Sequence, residues 1–132
     1  PHPSSGARAF EAGDARLAWA PARLEPRVHA ALVCVAQSCP PIAFYEADQL
    51  DEQLDLASAN YVNAGLEVDA QAEAVHLPAI FDWYEEDFGG RAGLEAFLMR
   101  HAEEPLRAEL ERALERGWPW QVRDYDWSLN TL

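Results

Sequence analysis

Arg27-Val28-His29-Ala30-Ala31-Leu32-Val33-Cys34-Val35-Ala36 runs without a break into Gln37-Ser38-Cys39-Pro40-Pro41. Val28–Ala36 is short and nearly continuously apolar, the pattern of a strand buried on both faces. The two prolines end it, because a proline cannot donate to a ladder. Cys39 precedes one of them and is biased to extended conformations. A strand of this kind needs neighbours on both sides and helices above them. The fold class that follows is α+β: a small antiparallel or mixed sheet packed against several short helices.

The neighbours are read from the rest of the chain. Leu66-Glu67-Val68 and Ala74-Val75-His76-Leu77 flank a polar turn and predict a hairpin. Trp120 to Trp127 alternates and predicts a last strand. Asp48 to Asn63 predicts a helix, with Leu50, Leu54, Ala57 and Tyr61 at helical spacing and Gly65 as the stop. Pro78 opens a short helix through Phe88, ended by Gly89-Gly90. Leu94–His101 and Pro105–Arg116 are two more helices, the second carrying the stripe Leu106, Leu110, Leu114 and stopped by Gly117. Pro1 to Pro26 is rich in Pro, Gly, Ala and Ser. It reads as a long surface loop or linker that touches the core through Phe10 and Trp19.

The 132 residues suffice for one core, and 49% are hydrophobic. The formal net charge is −13, and all ten basic residues are Arg. A field of that sign repels phosphate backbones and anionic membrane surfaces, so nucleic acid is excluded as an expected partner. No apolar run approaches the roughly 20 residues needed to span a bilayer. The chain begins Pro1-His2-Pro3 without a Met, which fits a removed leader or a cut inside a longer protein.

Chemistry is sought first at the two cysteines. On a strand, His29 and Cys34 are five positions apart and face opposite ways, so they are not expected to pair directly unless a bulge intervenes. Cys34 lies near the strand end, where a thiol becomes a nucleophile if a base or positive dipole stabilises its thiolate. The competing reading makes it a buried core thiol. Cys39, in a proline loop, is expected to be the more exposed of the two. A short-loop bridge between them is neither required nor forbidden by the spacing. A zinc site built on Cys34, Cys39 and His29 or His76 is disfavoured by the wide Cys-x4-Cys spacing and the lack of a second pair. No metal or other cofactor is called for. Asp82, Glu85, Glu86 and Asp87 read as a solvated face more than as acid–base groups, with Phe81, Tyr84 and Phe88 turned to the core.

Four stretches in order resemble the family called domain of unknown function 547. They are Arg27–Cys34 with Ser38-Cys39-Pro40-Pro41; Leu50-Asp51-Glu52-Gln53-Leu54; Ile80-Phe81-Asp82-Trp83-Tyr84-Glu85-Glu86-Asp87-Phe88-Gly89; and Tyr125-Asp126-Trp127-Ser128-Leu129-Asn130. Ala30 departs from the family pattern, which usually carries Phe there. The family's domain is longer, so the resemblance makes residues 27–132 the C-terminal part of a single domain and residues 1–26 its variable loop. A companion N-terminal fragment of the same protein is then the expected partner. Bacterial members of the family are often exported, which the resemblance extends to this chain as an expectation. Plant-type members commonly replace the second cysteine with Ser, which turns attention to Cys34.

By analogy with papain-like or transglutaminase-like folds, two readings stand. In one, the chain is a cysteine-dependent hydrolase or acyl-transferase of unknown substrate. Cys34 is then the nucleophile, His29 (or a His from the missing half) the base, and Asp126 the orienting acid. In the other, it is a non-catalytic protein-interaction module.

Overall fold

The computed structural model describes residues 10–11, 13–19 and 23–130. Among them the fold is α+β, with four α-helices and a three-stranded mixed sheet. The chain order is α1 (Leu50–Gly65), β1 (Glu67–Asp69), β2 (Ala74–Leu77), α2 (Ala79–Trp83), α3 (Gly90–His101), α4 (Leu106–Glu115) and β3 (Trp120–Val122). Short 3-10 helices occupy Ala15–Trp19, Pro26–Ala30 and Glu85–Phe88. Among the described residues no helix is long and apolar enough to cross a membrane.

Helix α1 opens with Asp51 and Glu52, whose charges suit the unpaired amides of a first turn. It buries Leu54, Ser58 and Val62, four residues apart on one face. The Ser58 hydroxyl donates to the Leu54 carbonyl at 2.7 Å, so the buried oxygen is satisfied. Helix α3 buries Leu94, Leu98 and His101, and α4 buries Leu110 and Ala113. Gly89, with φ of +91°, ends the Glu85–Phe88 turn in the left-handed region and redirects the chain into α3.

Strands β1 and β2 form the expected hairpin, with Glu67 opposite His76 and Asp69 opposite Ala74. The Asp69 carboxylate closes the turn by accepting from the amides of Gln71 and Ala72. Strand β3 lies on the other edge of β2 and runs parallel to it, Val75 facing Trp120 and Leu77 facing Val122. A parallel neighbour requires a crossover, which α2, α3 and α4 provide. The core sits between sheet and helices. Val62, Val75, Phe81, Leu94, Leu98 and Leu110 are its most enclosed side chains. Each such side chain contributes about 1.5–3 kcal/mol relative to exposure.

Three sequence expectations are corrected. Val28–Ala36 is not a strand. Pro26–Ala30 is a 3-10 helix, and Leu32, Val33, Cys34 and Val35 are exposed, with only Ala36 in an isolated bridge, to Leu129. The polar residues explain it. On a strand Arg27 and His29 would point the same way. Here Arg27 bonds Asp51 and Asp55 on α1, whereas His29 bonds Asp87. A 3-10 turn, at three residues per turn, separates the two directions. Pro26 at the start and Glu25, which accepts from the Arg27 amide, nucleate that turn.

The last strand is shorter than Trp120–Trp127. After Arg123, whose amide still donates to Leu77 O, the chain leaves β2 and lies beside the cysteine loop instead, with Gln37 N donating to Ser128 O at 2.9 Å and Asn130 N to Val35 O at 2.9 Å. Trp19 makes no core contact, being 89% exposed.

Candidate active site

The four stretches singled out in the sequence meet around the cysteine loop. Arg27 is the anchor. Its Nη2 reaches Glu25 Oε2 and Asp51 Oδ1, both at 2.7 Å, and its Nη1 reaches Asp55 Oδ1 at 2.9 Å. This fan pins the Pro26–Ala30 turn to α1 and raises the Arg27 pKa, chiefly through the hydrogen bond with Glu25. Two positions on, the His29 Nε2–H donates to Asp87 Oδ2 at 2.8 Å. The His29 ring stacks on Tyr84 with centroids 4.0 Å apart and an interplanar angle of 19°. A carboxylate on one nitrogen and an aromatic ring on one face fix the imidazole's orientation.

Val35 has φ of +65°, a left-handed conformation that a β-branched residue rarely adopts. Such a residue persists only where its surroundings hold it. Here the Ala36–Leu129 bridge and the Asn130 amide on the Val35 carbonyl do so. The bend returns the chain on itself and places Cys39 Sγ 2.9 Å from Cys34 Sγ. The Cys34 amide donates to Cys39 Sγ at 2.7 Å. From the far end of the chain, the Tyr125 hydroxyl lies 3.2 Å from Cys34 Sγ. Ser38 accepts the Asp126 amide on its Oγ at 2.9 Å, which seats the Tyr125-Asp126 segment on the loop.

These contacts set the electrostatics of the thiol. The hydrogen bonds with Cys39 and then Tyr125 hold the Cys34 pKa below its ordinary value of 9.0. Burial, with the hydrogen bond to Cys34 next, pushes the Tyr125 pKa upward, so its hydroxyl stays a donor toward a thiolate. Contrary to the sequence expectation, Cys34 is the exposed thiol and Cys39 the half-buried one; neither is in a disulfide.

Cys34 and His29 both line one cavity of about 230 Å³, walled chiefly by Leu32, Ile80, Trp83 and Trp127. They come to the same cavity because the segment is not a strand, and no hydrogen bond joins them. Trp83 stacks with Trp127 at 5.9 Å, and Tyr125 lies 5.0 Å from Trp83. A second cavity of about 420 Å³ shares Cys39 and Tyr125 with the first and is edged by Ser38, Tyr61 and Arg123.

The Asp126 carboxylate has partners other than His29. It accepts from the Ser128 amide at 2.9 Å and hydroxyl at 2.6 Å, bonds that hold its pKa low, the hydroxyl's most. The carboxylate that orients His29 is Asp87, which the acidic run Asp82–Asp87 concealed. Its place in the stretch Phe81–Phe88, between the half-buried Tyr84 and the core residue Phe88, is the signal that marks it out. The alternating pattern of Trp120 to Trp127 accounts for Tyr125 as a strand residue, so the local sequence gives no signal for its contact with Cys34. Among the described residues, no group of three His, Cys, Asp or Glu side chains is placed to hold a metal ion.

No curated protein and no solved structure matches the chain. The matched family region takes in the first two stretches, Arg27–Pro41 and Leu50–Leu54, while Ile80–Gly89 and Tyr125–Asn130 lie beyond it. Residues 2–62 match the model of the family described as Protein of unknown function, DUF547, the family that the motifs resemble.

Proposed function

We propose that the site carries out acyl transfer or hydrolysis through the Cys34 thiolate. The observation that carries this reading is the exposed Cys34 thiol, hydrogen-bonded to Tyr125 and Cys39 and lining an aromatic cavity that His29, the partner of Asp87, also lines. The thiolate attacks an acyl carbon, and a carbon–sulfur bond forms as the leaving group departs with a proton supplied by imidazolium His29. Water or an acceptor, deprotonated by His29, then attacks the thioester and releases Cys34. Asp87 fixes the imidazole and stabilises its protonated form. His29 and Cys34 share a cavity without touching, an arrangement that substrate tightens in many enzymes of this kind.

Two measurements test this. Incubation with 4-nitrophenyl acetate should give a burst of about one nitrophenolate per chain, absent in Cys34→Ser and retained in Cys39→Ser. Iodoacetamide should label Cys34 rapidly, with a pH midpoint below that of an ordinary thiol.

A non-catalytic interaction module is the second reading. It is favoured by the exposed apolar side chains Leu32, Ile42, Phe44, Trp127 and Leu129, of which Phe44 is 92% exposed. Slow, equal labelling of both thiols and no burst would decide for it.

A further inference from the structure

We propose that Cys34 and Cys39 are a thiol–disulfide exchange couple, Cys34 attacking and Cys39 resolving, whose co-reactant is a low-molecular-weight disulfide. The inference does not depend on acyl chemistry, because it rests on the two sulfurs and the loop that holds them.

The two Sγ atoms are 2.9 Å apart, and a bonded pair sits at about 2.03–2.05 Å, so closure needs a movement of less than about 1 Å. The fold holds the sulfurs together. Val35 reverses the chain in the left-handed region, the Cys39 amide donates to the Ala36 carbonyl at 3.0 Å, and the Cys34 amide donates to Cys39 Sγ. Buried Pro40 stiffens the exit from the loop. Access is unequal in the way exchange requires: Cys34 is exposed and meets reagent first, and Cys39 sits behind it, half-buried. The Tyr125 hydroxyl on Cys34 Sγ stabilises the thiolate that begins the reaction.

The steps balance. The Cys34 thiolate attacks one sulfur of the disulfide RSSR. A Cys34–SR bond forms, the reagent's S–S bond breaks, and the first thiolate leaves and takes a proton from solvent. Cys39 loses its proton to solvent and attacks Cys34 Sγ, closing the bridge and expelling the second thiolate, which is protonated in turn. Two protein thiols are oxidised and one disulfide is reduced to two thiols. The closed bridge leaves no thiolate on Cys34, so any nucleophilic chemistry there stops until the bridge is reduced.

The test uses the full chain in mixtures of reduced and oxidised glutathione, quenched with acid and read by intact mass. Wild-type protein should pass between dithiol and internal bridge without accumulating a glutathione adduct. Cys39→Ser should stop at one adduct, on Cys34. Cys34→Ser should form its adduct at least tenfold more slowly. The bridge should also form with an equilibrium constant at least tenfold higher in the native wild-type chain than in the same chain unfolded in urea, a comparison that needs no variant to fold. Persistent wild-type adducts without a bridge, equal capture rates at the two thiols, or equal constants for native and unfolded chain would each overturn the proposal. A missing nitrophenyl acetate burst with these results intact would sink only the acyl-transfer reading.

Discussion

His29 Nε2 and Asp87 Oδ2 lie 2.8 Å apart across 58 positions of sequence, joining the turn before the cysteine loop to the turn before α3. The ring is only about one-tenth exposed, while the carboxylate keeps about a third of its surface in water. A half-open carboxylate on a sheltered imidazole steers the ring.

Asp87→Asn keeps the size of the side chain but removes its charge. If His29 moves protons for Cys34, the substitution should lower the nitrophenyl acetate burst rate by about 10²–10⁴-fold. The urea midpoint should change little, because the lost pair is partly exposed. A matching fall in stability, with the rate restored under strongly stabilising conditions, would reduce Asp87 to a structural role.

Phe88 is buried against Phe81 and Phe97, at centroid distances of 5.5 and 4.8 Å with near-perpendicular rings. Phe88→Ala should cost about 3–5 kcal/mol of unfolding free energy if the site cannot collapse. Urea denaturation measures it. A stable variant that lost chemistry would make this ring a ligand contact instead. Tyr84, which the sequence also assigns to the core, is half-buried, packed against the core and stacked on His29.

Gly93 lies inside α3, where Ala would ordinarily add about 1 kcal/mol of stability. A Cβ there would overlap the Phe88 carbonyl oxygen, which belongs to backbone and cannot swing aside. Gly93→Ala should therefore destabilise by about 1–3 kcal/mol. A rise in the urea midpoint would show that the helix and the Glu85–Phe88 turn separate at little cost.

Arg27 holds the Glu25 carboxyl below its ordinary 4.5 and the Asp55 carboxyl below its ordinary 3.8, the Arg27 hydrogen bond being the main cause at both. A carboxyl with a lowered folded pKa binds fewer protons native than unfolded. Its contribution is complete above the unfolded value and is lost as pH falls through the folded one. The urea midpoint should thus decline from about pH 4.5 downward. Arg27→Gln should flatten that decline and cost about 1–2 kcal/mol at neutral pH, a figure kept small by the exposure of Asp51. An unchanged acid limb would place the acid-sensitive groups elsewhere.

The helices were legible where burial follows a period. Leu54 in α1, Leu94 and Leu98 in α3 and Leu110 in α4 announce themselves, although the face that α1 buries runs through Ser58 and Val62 and leaves Leu50 exposed, and Gly89 and Gly117 stop the chain in the left-handed region. The hairpin was legible for the same reason. The cysteine loop misled because a run such as Leu32-Val33-Cys34-Val35 signals a buried strand whether or not water covers it, and here polar Arg27 and His29 outweigh it. The site was legible only in part. Cys34 and His29 were singled out, but their partners Tyr125 and Asp87 lie 91 and 58 positions away, beyond the reach of local periodicity.

That separation has a consequence in time. A ribosome adds about 5–20 residues per second, so Cys34 is made roughly 5–20 s before Tyr125. During that interval the nascent chain carries a cysteine loop with no C-terminal segment beside it. Neither the tyrosine hydroxyl on Cys34 nor the Leu129 bridge to Ala36 yet exists. Cys39, the larger cause of the lowered Cys34 pKa, follows within five residues, whereas the Tyr125 contribution comes only when the C-terminal segment emerges, so a chain stalled in α4 would carry the cysteine pair without its tyrosine.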